Sequence, residues 1–180
     1  MNPTTTKLPA GSIFPSIEVK NLDGDTILLG KPASGTDWQM IVVYRGKHCP
    51  LCTKYLNQLE SYKQRFLDNK VDLIAVSADS KAQLTSHLSK LNVSFPLYYG
   101  LNETQMKTLG LYISLPRSAQ ETNHNFAEPG LFVVNEQGKL HVTDISNNPF
   151  VRPELEALAS GLEWIRNPEN NYPIRGTAAY

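Results

Sequence analysis

The segment that most restricts this chain is Cys49-Pro50-Leu51-Cys52, which follows the β-branched run Met40-Ile41-Val42-Val43-Tyr44 after a short loop. That run, bounded by Gly46, has the character of a buried central strand. From Pro50 the apolar period changes. Cys52, Tyr55, Leu56, Leu59, Tyr62 and Phe66 recur at three- and four-residue spacings on one face, which predicts a helix ending near Asn69. Proline is favoured at the first helical position, so Cys49 is expected at the N-cap. There its sulfur can accept N–H bonds from the first turn and lies at the positive end of the helix dipole, a setting that acidifies a thiol. Cys52, one turn on, is expected on the inward face, in reach of a disulfide with Cys49. The spacing therefore predicts an exposed attacking sulfur and a shielded resolving one.

These are the only two cysteines in the chain. A structural disulfide gains its effect by closing a long loop, and this pair closes almost none, so chemistry explains it better than architecture. Two other readings stand beside the redox one. Tetrahedral zinc usually takes four ligands, but there is no second C-x-x-C, and His48, His87, His124 and His141 are scattered. The pair could also be two inert buried thiols, since free cysteine is often buried.

The surrounding pattern is α/β, with helices expected on both faces of a sheet. Asn21-Leu22-Asp23-Gly24-Asp25 separates extended runs at Ser16–Lys20 and Thr26–Leu29, an opening hairpin. Val71 to Val76 reads as a second buried strand, and Asp79 or Ser80 can cap a helix carrying Leu84, Leu88 and Leu91. Phe95-Pro96-Leu97-Tyr98 is a short extended piece, followed by a helix at 103–109. Residues 112–128 read as polar and irregular, long for a connection and therefore a candidate functional segment. Leu131–Val134 and Lys139–Val142 flank Asn135-Glu136-Gln137-Gly138, a late hairpin. Pro153 suits the first turn of a last helix running to about Arg166. One domain is expected over 8–166, with an irregular tail over 167–180. Trp38 is expected to pack at a strand edge.

Lys+Arg and Asp+Glu are equal at 17 each, and no basic stripe interleaved with aromatics occurs, so neither nucleic acid nor an anionic membrane is an expected partner. No apolar run approaches the ~20 residues that cross a bilayer. The opening Met1-Asn2-Pro3-Thr4-Thr5-Thr6-Lys7 has no apolar stretch of leader length, so a soluble, cytoplasmic protein is expected. No cofactor or metal is expected.

Tyr44-Arg45-Gly46-Lys47-His48-Cys49-Pro50-Leu51-Cys52 resembles the active-site segment of the peroxiredoxin-like branch of the alkyl hydroperoxide reductase/thiol-specific antioxidant (AhpC/TSA) family. The likeness extends to Gly11–Leu29, to Val71–Ser80 with Phe95-Pro96-Leu97, to Pro129–Gly138 and to the tail segment Tyr172-Pro173-Ile174-Arg175-Gly176-Thr177. It implies a thioredoxin fold, with a central mixed β-sheet, helices on both faces and an N-terminal β-hairpin. It also implies a thiol-dependent antioxidant oxidoreductase that cycles a Cys49–Cys52 dithiol/disulfide to reduce peroxides or protein disulfides. An external thiol reductant, such as a thioredoxin or glutathione system, would regenerate it. A homodimer is compatible, dimers being common in the family. True peroxiredoxins carry a proline, then a Thr or Ser, then the peroxidatic Cys. With Cys52 in the peroxidatic position, Cys49 takes the hydroxyl position and Arg45 the proline position. Where those enzymes have an arginine before the late strand, this chain has Pro129, which thioredoxin resemblance makes a candidate cis-proline facing the disulfide.

Arg45 and Arg117 are candidate hydrogen-bond donors to a peroxide. His48, directly before Cys49, is a candidate to balance the thiolate charge or carry a proton. Family alignment points to Cys52 as the sulfur that attacks first, and helix-end physics to Cys49; Cys49 is favoured, because the N-cap is expected both to expose and to activate it, with Cys52 resolving. The alternative class is a non-enzymatic redox sensor or binding module of the same fold, which need not turn over.

Overall fold

The computed structural model describes residues 6–179. Met1–Thr5, part of the opening read above as lacking a leader, lie outside the described residues, as does Tyr180. The opening hairpin pairs β1 (Glu18–Lys20) with β2 (Thr26–Leu28) antiparallel. The Asn21 side chain closes the turn by accepting the Asp25 N–H at 2.8 Å. The central sheet has five strands in the order β5-β4-β3-β8-β9: Leu97–Tyr98, Val71–Val76, Trp38–Val43, Gly130–Val134 and Leu140–Ile145. β3 runs parallel to β4 and antiparallel to β8, so the sheet is mixed.

Alternation along β3 divides the core. Met40 and Val42 face one layer with Cys52, Leu56, Phe66, Leu84, Leu155 and Ala159. These come from α1 (Pro50–Glu60), α2 (Lys63–Asp68), α3 (Lys81–His87) and α5 (Leu155–Arg166). Ile41 and Val43 face the opposite layer, where Phe14, Val19 and Phe132 pack with Met106 of α4 (Glu103–Thr108). Both central strands are buried on both faces, as their continuous apolar runs require. Each fully buried Leu or Ile contributes roughly 1.5–3 kcal/mol. The cysteines thus sit on the first turn of a helix clamped to the middle of the sheet.

Four local expectations are corrected. The helix from Pro50 does not run unbroken to Asn69: it stops at Glu60 and α2 restarts at Lys63. Ser61 provides the break, because its hydroxyl donates to the Gln58 carbonyl at 2.7 Å and its N–H goes to Gln58 and Leu59, competing with the helical ladder. Segment 112–128 is not wholly irregular, since β6 (Ile113–Ser114) pairs with β7 (Phe126–Ala127). These strands are too short to show a period. Pro153 lies just outside α5. Glu154 is the N-cap, its carboxylate accepting the N–H groups of Glu156 and Ala157 at 3.0 and 2.7 Å. Finally, no cis peptide bond occurs among the described residues, so Pro129 is trans. Only about one X–Pro bond in twenty is cis. No helix among the described residues is long and apolar enough to cross a membrane.

Candidate functional site

Cys49 is the N-cap of α1, in extended conformation with Pro50 at the start of the helix. Its Sγ accepts the N–H of Cys52 at 3.2 Å, and its carbonyl accepts that of Thr53 at 3.1 Å. Cys49 and Cys52 form a disulfide, with their Cα atoms 5.3 Å apart. The bond closes inside the first helical turn, with the helix intact. Neither thiol is therefore inert packing. Among the described residues no group of three or more His, Cys, Asp or Glu is placed to hold a metal.

The expected contrast in exposure is not present. Cys49 is 2% and Cys52 0% exposed, both inside the core layer with Leu56 and Met40. Leu51, between them, turns outward instead, at 44%. The choice of Cys49 as first attacker rested on its exposure and on its activation at the N-cap; in the disulfide form the difference in exposure is absent, while the N-cap bond to Cys49 Sγ is present.

What distinguishes the sulfurs is Arg152. Its Nη2 donates to Cys52 Sγ at 2.8 Å, and its Nη1 donates to the Pro149 carbonyl. The guanidinium lies over the Tyr55 ring, 5.1 Å from the centroid, and the Tyr55 hydroxyl ties down the same loop by donating to the Pro153 carbonyl at 2.9 Å. Among the described residues no carboxylate stands within ion-pair distance of Arg152. Burial lowers its pKa to about 10, so it is a cation at neutral pH. An uncompensated, partly desolvated guanidinium on a sulfur favours the thiolate form of that sulfur. Sequence reasoning missed Arg152, which lies a hundred residues from Cys52. In Val151-Arg152-Pro153-Glu154 only the proline was read, as a helix start.

Arg45 does not take this role. Its Nε faces Glu128 at 3.4 Å, its Nη2 faces Glu121 at 3.8 Å, and its guanidinium lies 4.7 Å from the Phe126 ring centroid. Its charge is spent on carboxylates, and no contact with either sulfur is formed. Arg117 is a surface side chain, 87% exposed and paired with Glu121 at 3.2 Å. His48 is half-buried, 4.5 Å from the Phe126 ring, with neither ring nitrogen hydrogen-bonded. Burial, then the neighbouring Arg45 charge, lowers its pKa to about 4. It is neutral at pH 7 and cannot balance a thiolate as an imidazolium. Pro129 is buried, accepts the Ser146 N–H at 3.0 Å, and lines a cavity of about 10 Å³ together with Arg152 and Tyr55. Trp38 is 4% exposed at the start of β3, a packing residue as expected.

Asp79 is the second residue that the sequence did not mark for the site. Ser80 supplies the expected cap of α3. Asp79, 1% exposed, turns to the active-site loop instead. Its Oδ2 accepts the Lys47 N–H at 2.7 Å, and its Oδ1 lies 3.3 Å from His124 Nε2. Burial raises its pKa, partly offset by the Lys47 N–H. Gly46, at φ +132°, passes so close that a Cβ there would lie 2.5 Å from Oδ1. The buried carboxylate therefore sets the path of residues 45–48 into the helix.

Residues 10–143 match the AhpC/TSA family. No curated protein matches the sequence. Among solved structures, a peroxiredoxin 6 mutant from Arenicola marina superposes with a TM-score of 0.73 at 16% identity, covering 90% of this chain and 75% of that one. A peroxiredoxin-like protein from Aquifex aeolicus gives 0.71 at 14%, covering 88% of each chain. AhpC of Mycobacterium bovis gives 0.69 at 15%, covering 93% of this chain and 99% of that one. At such identities these likenesses establish the thioredoxin fold of peroxiredoxins, and the family match carries the chemistry. The chain belongs to the AhpC/TSA family and is a thiol-dependent oxidoreductase of peroxiredoxin-like fold, with its redox-active cysteine pair at Cys49 and Cys52.

Proposed function

We propose that the protein reduces a peroxide at Cys52 and closes the Cys49–Cys52 disulfide as its oxidised state. The observation that carries this reading is the Arg152 guanidinium on Cys52 Sγ, with no carboxylate partner. In the reduced protein, the Cys52 thiolate attacks one peroxide oxygen. The O–O bond breaks, an alcohol or water leaves after taking up a proton, and Cys52 becomes a sulfenic acid. The guanidinium that favours the thiolate also offers N–H donors to the developing oxyanion. The Cys49 thiolate, favoured by the Cys52 N–H and the helix dipole, then attacks the sulfenic sulfur, expelling hydroxide and forming the disulfide. Both sulfurs lie within one helical turn, so this step needs no unwinding. An external thiol returns the pair to the dithiol.

The test mixes reduced protein with an equimolar amount of hydrogen peroxide and follows quenched intact mass against a peptide thiol of matched thiolate fraction. Loss of two hydrogens is expected far faster than in the peptide. Cys49→Ser is expected to trap one added oxygen on Cys52, and Cys52→Ser to react slowly. The reverse pattern moves the peroxidatic role to Cys49. Rates no better than the peptide remove peroxide as the oxidant and leave protein disulfides as the substrate.

A further inference from the structure

Beside the helix N-terminus lies an open groove of about 780 Å³ whose lining includes His48 and Pro50, the two chain neighbours of Cys49. Its walls carry Lys47, Lys90 and Arg117. Among the described residues neither lysine lies within ion-pair distance of a carboxylate, although the Lys47 charge also acts on the buried Asp79 behind it. The only carboxylate in the lining, Glu121, is already held: it accepts the Arg117 N–H at 2.6 Å, faces the Arg117 guanidinium at 3.2 Å, and lies 3.8 Å from Arg45. The Arg117 N–H is the main cause that holds the Glu121 carboxyl below its usual range, so it stays ionised and paired. His48 is neutral, as described above. The groove is therefore net positive in a chain whose acidic and basic residues balance at 17 each. A local excess of one sign beside a reactive bond raises the concentration of oppositely charged reactants there.

We infer that this groove receives the reductant, a small thiol bearing carboxylates, and directs its sulfur onto Cys49. The inference rests on the peroxidase reading only for the origin of the disulfide. A small molecule fits better than a protein surface for two reasons. The groove is concave and within the size range of small-molecule sites. The disulfide it adjoins is buried, with Cys49 2% exposed, so a blunt partner meets the rim before it meets the sulfur. The exchange balances in two steps. The thiolate of the reductant attacks Cys49 Sγ, the Cys49–Cys52 bond breaks, and Cys52 leaves as the thiolate that Arg152 stabilises. A second reductant thiolate then attacks the sulfur that the first reductant molecule left in the mixed disulfide, the bond to Cys49 breaks, and Cys49 departs as thiolate. Two thiols are oxidised to one disulfide, and the protein disulfide is reduced to the dithiol.

The test needs no peroxide. The oxidised protein is reduced by mercaptosuccinate, 2-mercaptoethanol and cysteamine, which are anionic, neutral and cationic, each rate being corrected for thiolate fraction. The anionic thiol is expected to exceed the cationic one by about tenfold or more at low salt, and the spread is expected to shrink at high salt. In the Lys47→Ala/Lys90→Ala variant the ratio of anionic to neutral rates is expected to fall towards one. Rates independent of thiol charge, or a charge preference that survives in the variant, overturn the inference. So does reduction by a dithiol protein with all three small thiols inert. None of these outcomes touches the peroxide reading, which fails only in the oxidation assay.

Discussion

Arg45, from the loop entering α1, and Arg152, from the loop entering α5, are both partly buried cations, and the two loops meet at the disulfide. Arg45 faces Glu128 at 3.4 Å and Glu121 at 3.8 Å. Arg152 faces a carbonyl, an aromatic ring and Cys52 Sγ. Sequence proximity favoured the first, since it lies four residues from Cys49. The difference lies in what each charge is balanced against. An arginine already paired with carboxylates has little field left for a thiolate, whereas one with no carboxylate in contact gains most from a thiolate beside it. The α1 loop shapes the site through Asp79 and Gly46, and the α5 loop charges it.

Replacing Arg152 is expected to have the largest effect. A hydrogen bond to a charged group is worth about 1.5–3 kcal/mol, so losing the guanidinium disfavours the Cys52 thiolate about tenfold or more. Arg152→Met should therefore slow alkylation of Cys52 at pH 7 by about tenfold or more, measured in the Cys49→Ser background. Arg152→Lys should recover part of the rate, because it restores the charge without the guanidinium fork. The accompanying shift in the apparent pKa of alkylation, read from a pH profile, separates this role from mere packing. If Arg45→Met shifts that profile as far as Arg152→Met does, the contrast between the two loops is gone.

How much of this was legible beforehand follows from the range of each interaction. The N-cap position of Cys49, the hairpins and the two buried strands are local patterns of period, turn residue and proline placement, and they stand in the structure. Ser61 broke a helix because a side-chain bond to Gln58 outweighed a continuous apolar stripe, and no count of apolar spacing registers that competition. Arg152 and Asp79 were not assigned to the site, because each acts through a contact that only the closed fold creates. An isolated arginine before a proline carries no local sign of a sulfur a hundred residues away. Gly46 was the one hint of Asp79: its φ of +132° reflects a backbone pressed against a carboxylate, but in sequence it reads only as the end of a strand.

The next prediction concerns acid. His48 and His87 are both lowered from 6.5 to about 4, chiefly by burial. The unfolded chain therefore binds protons that the folded chain refuses between those values, so stability rises with pH across this window. It is fully present above about 6.5 and is lost as pH falls towards 4, by on the order of 1 kcal/mol for the half-buried His48 and by more for His87, which is fully buried. Urea unfolding between pH 7.5 and 4.5 should show this slope, and His48→Gln should flatten it. Below this window His48 becomes a cation beside Arg45, and the α1 loop gains the positive field that only the α5 loop holds at neutrality. An unchanged slope in His48→Gln would place the acid sensitivity elsewhere.

The smallest expected effect is the one that bears most directly on the two arginines. Glu128 is 5% exposed; its Oε1 accepts the Ser114 hydroxyl at 2.6 Å and its Oε2 faces Arg45. Its charge also reaches Arg152, whose pKa it supports. Glu128→Gln keeps an acceptor for Ser114 and removes the charge that occupies Arg45. Arg45 then retains only the longer contact with Glu121, and the field around the cysteines becomes more positive. Alkylation at pH 7 should quicken about twofold to threefold, with most of the gain kept in 1 M salt, because charges this deeply buried are screened far less than exposed ones. A slower reaction would mean that Glu128 serves the sulfurs by keeping Arg152 charged and in place, and that the carboxylate belongs to the α5 side of the comparison rather than to Arg45.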